Sequence, residues 1–196
     1  MLWIGDGLMP LLPGQLYLAM VVLLNYPTLD HERECRLRVL AHAIALNQEY
    51  EEPARMLAIA LQESTLTLRR YWNESSHGAC GPYQQIPRYA YPHDEPATCA
   101  SLQDPYEATY RLHHKLESMR SRYGAISETI CHYASGNECN PASIQYAEEH
   151  IVNYERAQQI LGRLQREEPY SPSLTLRIEL HQCVIDYYQE SGSALR

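Results

Sequence analysis

Lysine is nearly absent from the chain: Lys115 is the only one, and 16 Lys+Arg face 24 Asp+Glu, a net charge of −8 at pH 7. No run of basic residues compensates. Affinity for nucleic acid rests on cations that neutralise phosphates, so the composition argues against such a partner. Long apolar runs are missing too. The longest, residues 16–24, has nine residues, where a membrane-spanning helix needs about 20. It follows Pro10, Pro13, Gly14 and Gln15 with no basic segment ahead of it, which fits neither a secretory leader nor an anchor. It reads as a buried first helix, and no transmembrane segment is expected. Alternating strand patterns, internal repeats and low-complexity tracts are likewise absent.

What is present is a chain of 196 residues that is 45% hydrophobic. That suffices for one domain, with or without an appendage, burying roughly 70% of the unfolded chain's surface. Apolar residues recur at helical spacing, and the fold class expected is all-α. Ala108, Leu112, Leu116, Met119 and Tyr123 make one stripe, opened by Asp104-Pro105 as N-cap and first helical residue and closed by Gly124. Ile144, Ala147, Ile151, Tyr154, Leu161 and Leu164 make another. Pro53 opens a helix that runs through Met56, Leu57, Ala60 and Leu61 to Glu63-Ser64, and further helices are expected over about 30–47 and from Ser171-Pro172 to Gly192. Between residues 71 and 101 the period breaks. Gly78, Gly81, Pro82, Pro87, Pro92 and Pro96 crowd that stretch, and a connection of such length is more often functional than incidental.

Six cysteines and no Cys-x-x-Cys pair point to disulfides formed in an oxidising compartment. The spacings suggest Cys131 with Cys139 and Cys80 with Cys99, which leaves Cys35 for Cys183. This is one of fifteen pairings that six cysteines allow. A structural zinc site built from His77, Cys80, His93 and Cys99 competes with it, as do buried free thiols.

Glu63 lies three residues after Ala60 and four after Ile59, which sets its carboxyl at the edge of the core. Partial desolvation there favours the protonated form that a general acid needs. Downstream come Gly81-Pro82-Tyr83-Gln84-Gln85-Ile86-Pro87, Asp104-Pro105, His132-Tyr133-Ala134-Ser135-Gly136 and Tyr146-Ala147. With Glu63-Ser64 and these motifs in this order, the chain resembles the lytic transglycosylases of the soluble-transglycosylase and goose-type-lysozyme kind, including small members found in phage particles and in secretion or conjugation systems. Those proteins carry Glu-Ser at a helix end, Gly-Leu-Met-Gln-x-x-Pro after a loop, Asp-Pro before a helix, and Ala-Tyr-Asn-Ala-Gly. The likeness covers about residues 50 to 155. It departs at Pro82-Tyr83, where the family has Leu-Met, and at Ala134, where it has Asn.

The resemblance implies a lysozyme-like core over residues 50–165, with an N-terminal helical segment at 1–49 and a C-terminal helix at 166–196. It implies cleavage of the MurNAc–GlcNAc β-1,4 bond in peptidoglycan glycan strands by one carboxyl group. Glu63 would protonate the leaving oxygen and then take the proton of the muramyl 6-hydroxyl as a 1,6-anhydro ring closes. The substrate's N-acetyl group would serve in place of a second carboxylate. Ser64 and Gln84 are expected to hydrogen-bond substrate or position Glu63, and Tyr133 to set its hydroxyl against the Glu63 carboxyl. Tyr146 and Tyr83 are assigned to the substrate, although Tyr83, like Tyr89 and Tyr91, fits sugar contact and loop packing equally. No metal or cofactor is implied.

Two alternatives stay open. In a hydrolysing lysozyme (muramidase), Glu74, Asp94 or Glu95 would activate water. In a structural tail or secretion-channel subunit, the fold would be kept with degenerate activity. His113-His114 reads as one surface and one half-buried histidine. A charge of −8 gives no electrostatic steering toward an anionic wall. Delivery by a virion or secretion machine is therefore expected, with that machine's proteins as partners and the host periplasm or cell wall as the place of action; the bacterial periplasm is the alternative.

Overall fold

In the computed structural model, residues 10–24, 31–64, 75–136, 138–166 and 182–183 are described, and among them the chain is helical with no strand. Seven α-helices follow in order: α1 Pro13–Leu24, α2 His31–Leu46, α3 Pro53–Ser64, α4 Cys99–Gln103, α5 Pro105–Tyr123, α6 Ile126–Ser135 and α7 Pro141–Arg166. Local chemistry sets their ends. Asp104 caps α5, its Oδ1 accepting from the backbone N–H of Tyr106 at 2.8 Å. Gly124 and Gly136, with φ of 77° and 85°, close α5 and α6 in a conformation that suits glycine. At the start of α7, Ser143 N donates to Asn140 Oδ1 at 3.0 Å and Asn140 N donates back to Ser143 Oγ at 2.9 Å. The helix expected from Ser171 to Gly192 lies outside the described residues, apart from 182–183.

The middle of the fold is α3, whose Met56, Leu57, Ala58, Ile59 and Ala60 are buried on almost every side. It packs against α7, while α2 lies against α1 and α5. One apolar cluster joins Leu16 and Met20 of α1, Leu40 and Ile44 of α2, Met56 and Leu57 of α3, and Leu112 and Leu116 of α5. Each such side chain stabilises the fold by about 1.5–3 kcal/mol relative to exposure. The first helix therefore belongs to this core, and Gln15 Nε2 fastens it to the far end of α7 by donating to the Leu164 carbonyl at 3.1 Å. The chain has no phenylalanine, and among the described residues Tyr83 is the largest fully buried side chain.

The stripe on α7 differs from the expected one. Its buried line is Ser143, Ala147, His150, Ala157 and Leu161, whereas Ile144 and Ile151 are 47% and 40% exposed. Small residues let α7 approach α3 closely, so the bulky β-branched residues turn to the edge, beside an open groove lined by Cys131 and Cys139.

Three disulfides staple the helices: Cys35–Cys183, Cys80–Cys99 and Cys131–Cys139, with Cα–Cα distances of 4.9, 5.4 and 5.6 Å. All lie within the range that a disulfide spans, and no cysteine is free. The pairing expected from spacing is the one formed, and joining Cys80 to Cys99 rules out the thiolates a zinc site there would need. Among the described residues, no helix is long and apolar enough to cross a membrane.

Candidate active site

The loop between α3 and α4 is shaped by a tight turn. Cys80 and Gln85 exchange backbone hydrogen bonds at 2.8 and 2.9 Å, and the Cys80–Cys99 disulfide anchors the turn beside α4. Gly81 sits at the crossing with φ of 76°, where a Cβ would land on the Leu102 carbonyl oxygen. Gln84 follows at φ 44°, held by its own Nε2 donating to the Gly81 carbonyl at 3.0 Å. Gln85 Nε2 donates to the Ala108 carbonyl at 2.9 Å and ties the turn to α5.

A cleft of about 470 Å³ opens between this loop, the end of α3, α5 and α6. Glu63 lines it from the last turn of α3, Lys115 and Met119 from α5, and Tyr133 from α6. Among the described residues lining it, Glu63 is the one carboxylate. Tyr146 on α7 donates its hydroxyl to Glu63 Oε1 at 2.6 Å, and Gln62 Nε2 donates to the Tyr146 carbonyl at 2.9 Å. Burial, reinforced by the Glu63 charge, holds the Tyr146 hydroxyl well above the usual tyrosine range, so it stays a donor.

Lys115 faces the same carboxylate. Its Nζ lies 4.2 Å from the centre of the Tyr133 ring, a cation–π contact. Burial lowers its pKa to about 8, with the Glu63 charge pulling the other way. The Glu63 carboxyl is thus flanked by a donated hydroxyl from Tyr146 and by the Lys115 cation.

The aromatic residues fall into two groups. Tyr89 and Tyr91 from the loop line the cleft, as do Tyr123 and His132, whose rings stack 3.7 Å apart at 6°. Tyr133, which also lines the cleft, forms with Tyr83 a hydrogen-bonded relay that runs into the core. Tyr133 Oη donates to the Tyr83 carbonyl at 2.8 Å. Tyr83 Oη in turn meets Thr109 Oγ1 at 3.1 Å, and since the Thr109 proton goes to the Pro105 carbonyl at 2.6 Å, Tyr83 is the donor.

The structure thus brings Glu63, Gln84, Tyr133 and Tyr146 together and departs from expectation elsewhere. The hydroxyl on Glu63 comes from Tyr146, because the Tyr133 proton is committed to the Tyr83 carbonyl. Ser64 is fully buried, its Oγ donating to the Ala60 carbonyl at 2.8 Å, and a substrate cannot reach it. Tyr83 is equally buried and shapes the cleft from behind. Asp94 and Glu95 are exposed and do not line the cleft, whereas Glu74 lies outside the described residues. Sequence reasoning missed Lys115, Tyr123 and His132 as cleft residues. The signal for Lys115 was its uniqueness, and only the packing of α5 turns it toward Glu63. Comparison with protein-family models, characterised proteins and solved structures finds no match.

Proposed function

We propose that the cleft cleaves the MurNAc–GlcNAc β-1,4 bond of peptidoglycan by lytic transglycosylation, with Glu63 as the acid and base. The observation that carries this reading is that Glu63, fixed by Tyr146, is the one carboxylate lining the cleft among the described residues. Glu63 donates its proton to the glycosidic oxygen as the C1–O bond breaks, and the substrate's acetamido oxygen bonds to C1. The muramyl C6 hydroxyl then displaces that oxygen from C1 and returns its proton to Glu63. The products are a free 4-hydroxyl and a 1,6-anhydro sugar, and no water is consumed. The flanking tyrosines offer apolar faces to sugar rings, and the Gln84 amide offers hydrogen bonds to sugar substituents.

The lysozyme-like classification and the placing of the protein on a virion or secretion machine belong to this proposal, supported by the motif order around Glu63 and by the absence of electrostatic steering at a charge of −8. The test is mass spectrometry of soluble fragments from purified peptidoglycan. Anhydro-muropeptides from the wild type and none from Glu63→Gln are expected. Reducing-end products, heavier by one water, would convert the assignment to a muramidase, and no products from folded protein on several wall types would leave a structural subunit.

A further inference from the structure

On the side of α5 turned away from the cleft, His113, His114 and Glu117 converge. The helical twist places Glu117 over both histidines, with His113 Nε2 3.8 Å and His114 Nδ1 3.7 Å from the same Oε2. These separations are too long for hydrogen bonds, yet the three ligand atoms all lie within 4.8 Å of one another. A tetrahedral zinc ion with bonds of about 2.0–2.2 Å holds its ligand atoms roughly 3.3 Å apart, so small side-chain rotations close the set.

We infer that His113 Nε2, His114 Nδ1 and Glu117 Oε2 form a binding site for a divalent transition metal, with Zn2+ the ion that suits two imidazoles and a carboxylate. Several features prepare it. The His113 ring is held between Tyr50, 5.2 Å away, and His114, 5.0 Å away, while Tyr110 packs edge-on against His114 at 4.4 Å. Two of the three ligands are thus ordered before a metal arrives, which lowers the entropy cost of binding. His113 Nδ1 is buried without a partner, so Nε2 is the ring nitrogen left open to a ligand. The other charges nearby are Glu51 and Arg120, and these pair with each other.

The donor set selects the metal. Two imidazoles and one carboxylate match zinc and its late first-row neighbours rather than magnesium or calcium, which take oxygen. Side-chain exposures of 12%, 33% and 64% for His113, His114 and Glu117 leave an outer coordination position for water. The site is independent of the glycan chemistry, since Lys115 and Met119 turn the opposite face of α5 to the cleft.

The test is isothermal titration of the full chain with ZnCl2, repeated with MgCl2, on the wild type and on His114→Gln/Glu117→Gln. Both substituted side chains are partly exposed, so the variant is expected to fold, and an unchanged circular dichroism spectrum checks this. One zinc per wild-type chain, no competition by magnesium, and affinity at least tenfold weaker in the variant are expected. Absence of stoichiometric zinc binding by the wild type, or equal binding by the folded variant, would overturn the site. Should the double variant misfold, Glu117→Gln alone applies the same criterion.

Discussion

Tyr146 donates its hydroxyl to Glu63 Oε1 at 2.6 Å across 83 residues of sequence, and the Tyr146 carbonyl accepts from Gln62 Nε2 at 2.9 Å across 84. Two successive residues of α3 are thereby fastened to one residue of α7. The carboxyl at the cleft is fixed in place before any substrate arrives, which is how a proton-transfer group avoids reorganisation during reaction.

Glu63→Gln is expected to abolish glycan cleavage, a fall of about 100-fold or more, with Tm within roughly 4 °C of the wild type, because the amide oxygen still accepts from Tyr146. Tyr146→Phe keeps the carboxyl but removes the hydroxyl donated to it, so a partial loss of activity is expected, with stability lower by about 1.5–3 kcal/mol. Release of soluble muropeptides and thermal unfolding check both. A fully active Glu63→Gln would remove Glu63 from the mechanism.

Lys115 titrates at about 8 in the fold against 10.5 when free. The unfolded chain holds that proton more tightly, so the penalty for burying the cation is full below pH 8 and disappears as pH rises toward 10.5. Lys115→Met is expected to stabilise the protein at pH 7, by about 1 kcal/mol given partial solvent screening, and to lose that advantage by pH 10. Urea unfolding at pH 7, 9 and 10 measures it.

His150 is buried on α7 with neither ring nitrogen hydrogen-bonded, and burial, aided by the Arg55 charge, lowers its pKa to about 4 from 6.5. Stability from its neutral form is full above pH 6.5 and falls as pH drops through about 4, a loss on the order of 3 kcal/mol. His150→Leu should flatten that acid limb. Equal acid sensitivity in wild type and variant, by thermal unfolding between pH 7 and 4, would show that another group governs it.

The disulfides should differ in worth because they close loops of different length. Sequence separations are 148 for Cys35–Cys183 and 8 for Cys131–Cys139. Loop-closure entropy alone gives about 5 kcal/mol for the first and about 2.5 kcal/mol for the second. Paired Cys→Ser variants compared by denaturant unfolding should keep that order. Thiol titration of the unfolded, unreduced wild type should find essentially no free thiol.

Gly81→Ala forces a side chain against the Leu102 carbonyl at a φ that disfavours one. A cost of about 3 kcal/mol or more, roughly 6–12 °C in Tm, is expected. Activity should fall with it, because Gln84 rests on the Gly81 carbonyl. Thermal unfolding and muropeptide release give the two readouts, and a variant as stable as the wild type would refute the tight crossing.

Local signals determined much of this protein. Pro53, Asp104-Pro105 and Gly124 fix helix ends through groups within a few residues, and the spacing of Ala108, Leu112 and Leu116 fixes which face of α5 is buried, so the helices and the place of Glu63 at the end of one could be read directly. Cysteine spacing likewise pointed to the pairing that forms. Tertiary structure decided the rest. Whether Tyr133 or Tyr146 reaches Glu63 depends on how α6 and α7 pack against α3, and whether Ile144 or Ser143 is buried depends on how closely α7 can approach. Ser64 and Tyr83 carry groups suited to sugar and are buried instead, while Lys115, the one lysine of an acidic chain, is turned into the cleft by contacts far away in sequence. A periodic pattern records which side of a helix is apolar; the orientation of a polar side chain depends on neighbours that only the folded chain brings near.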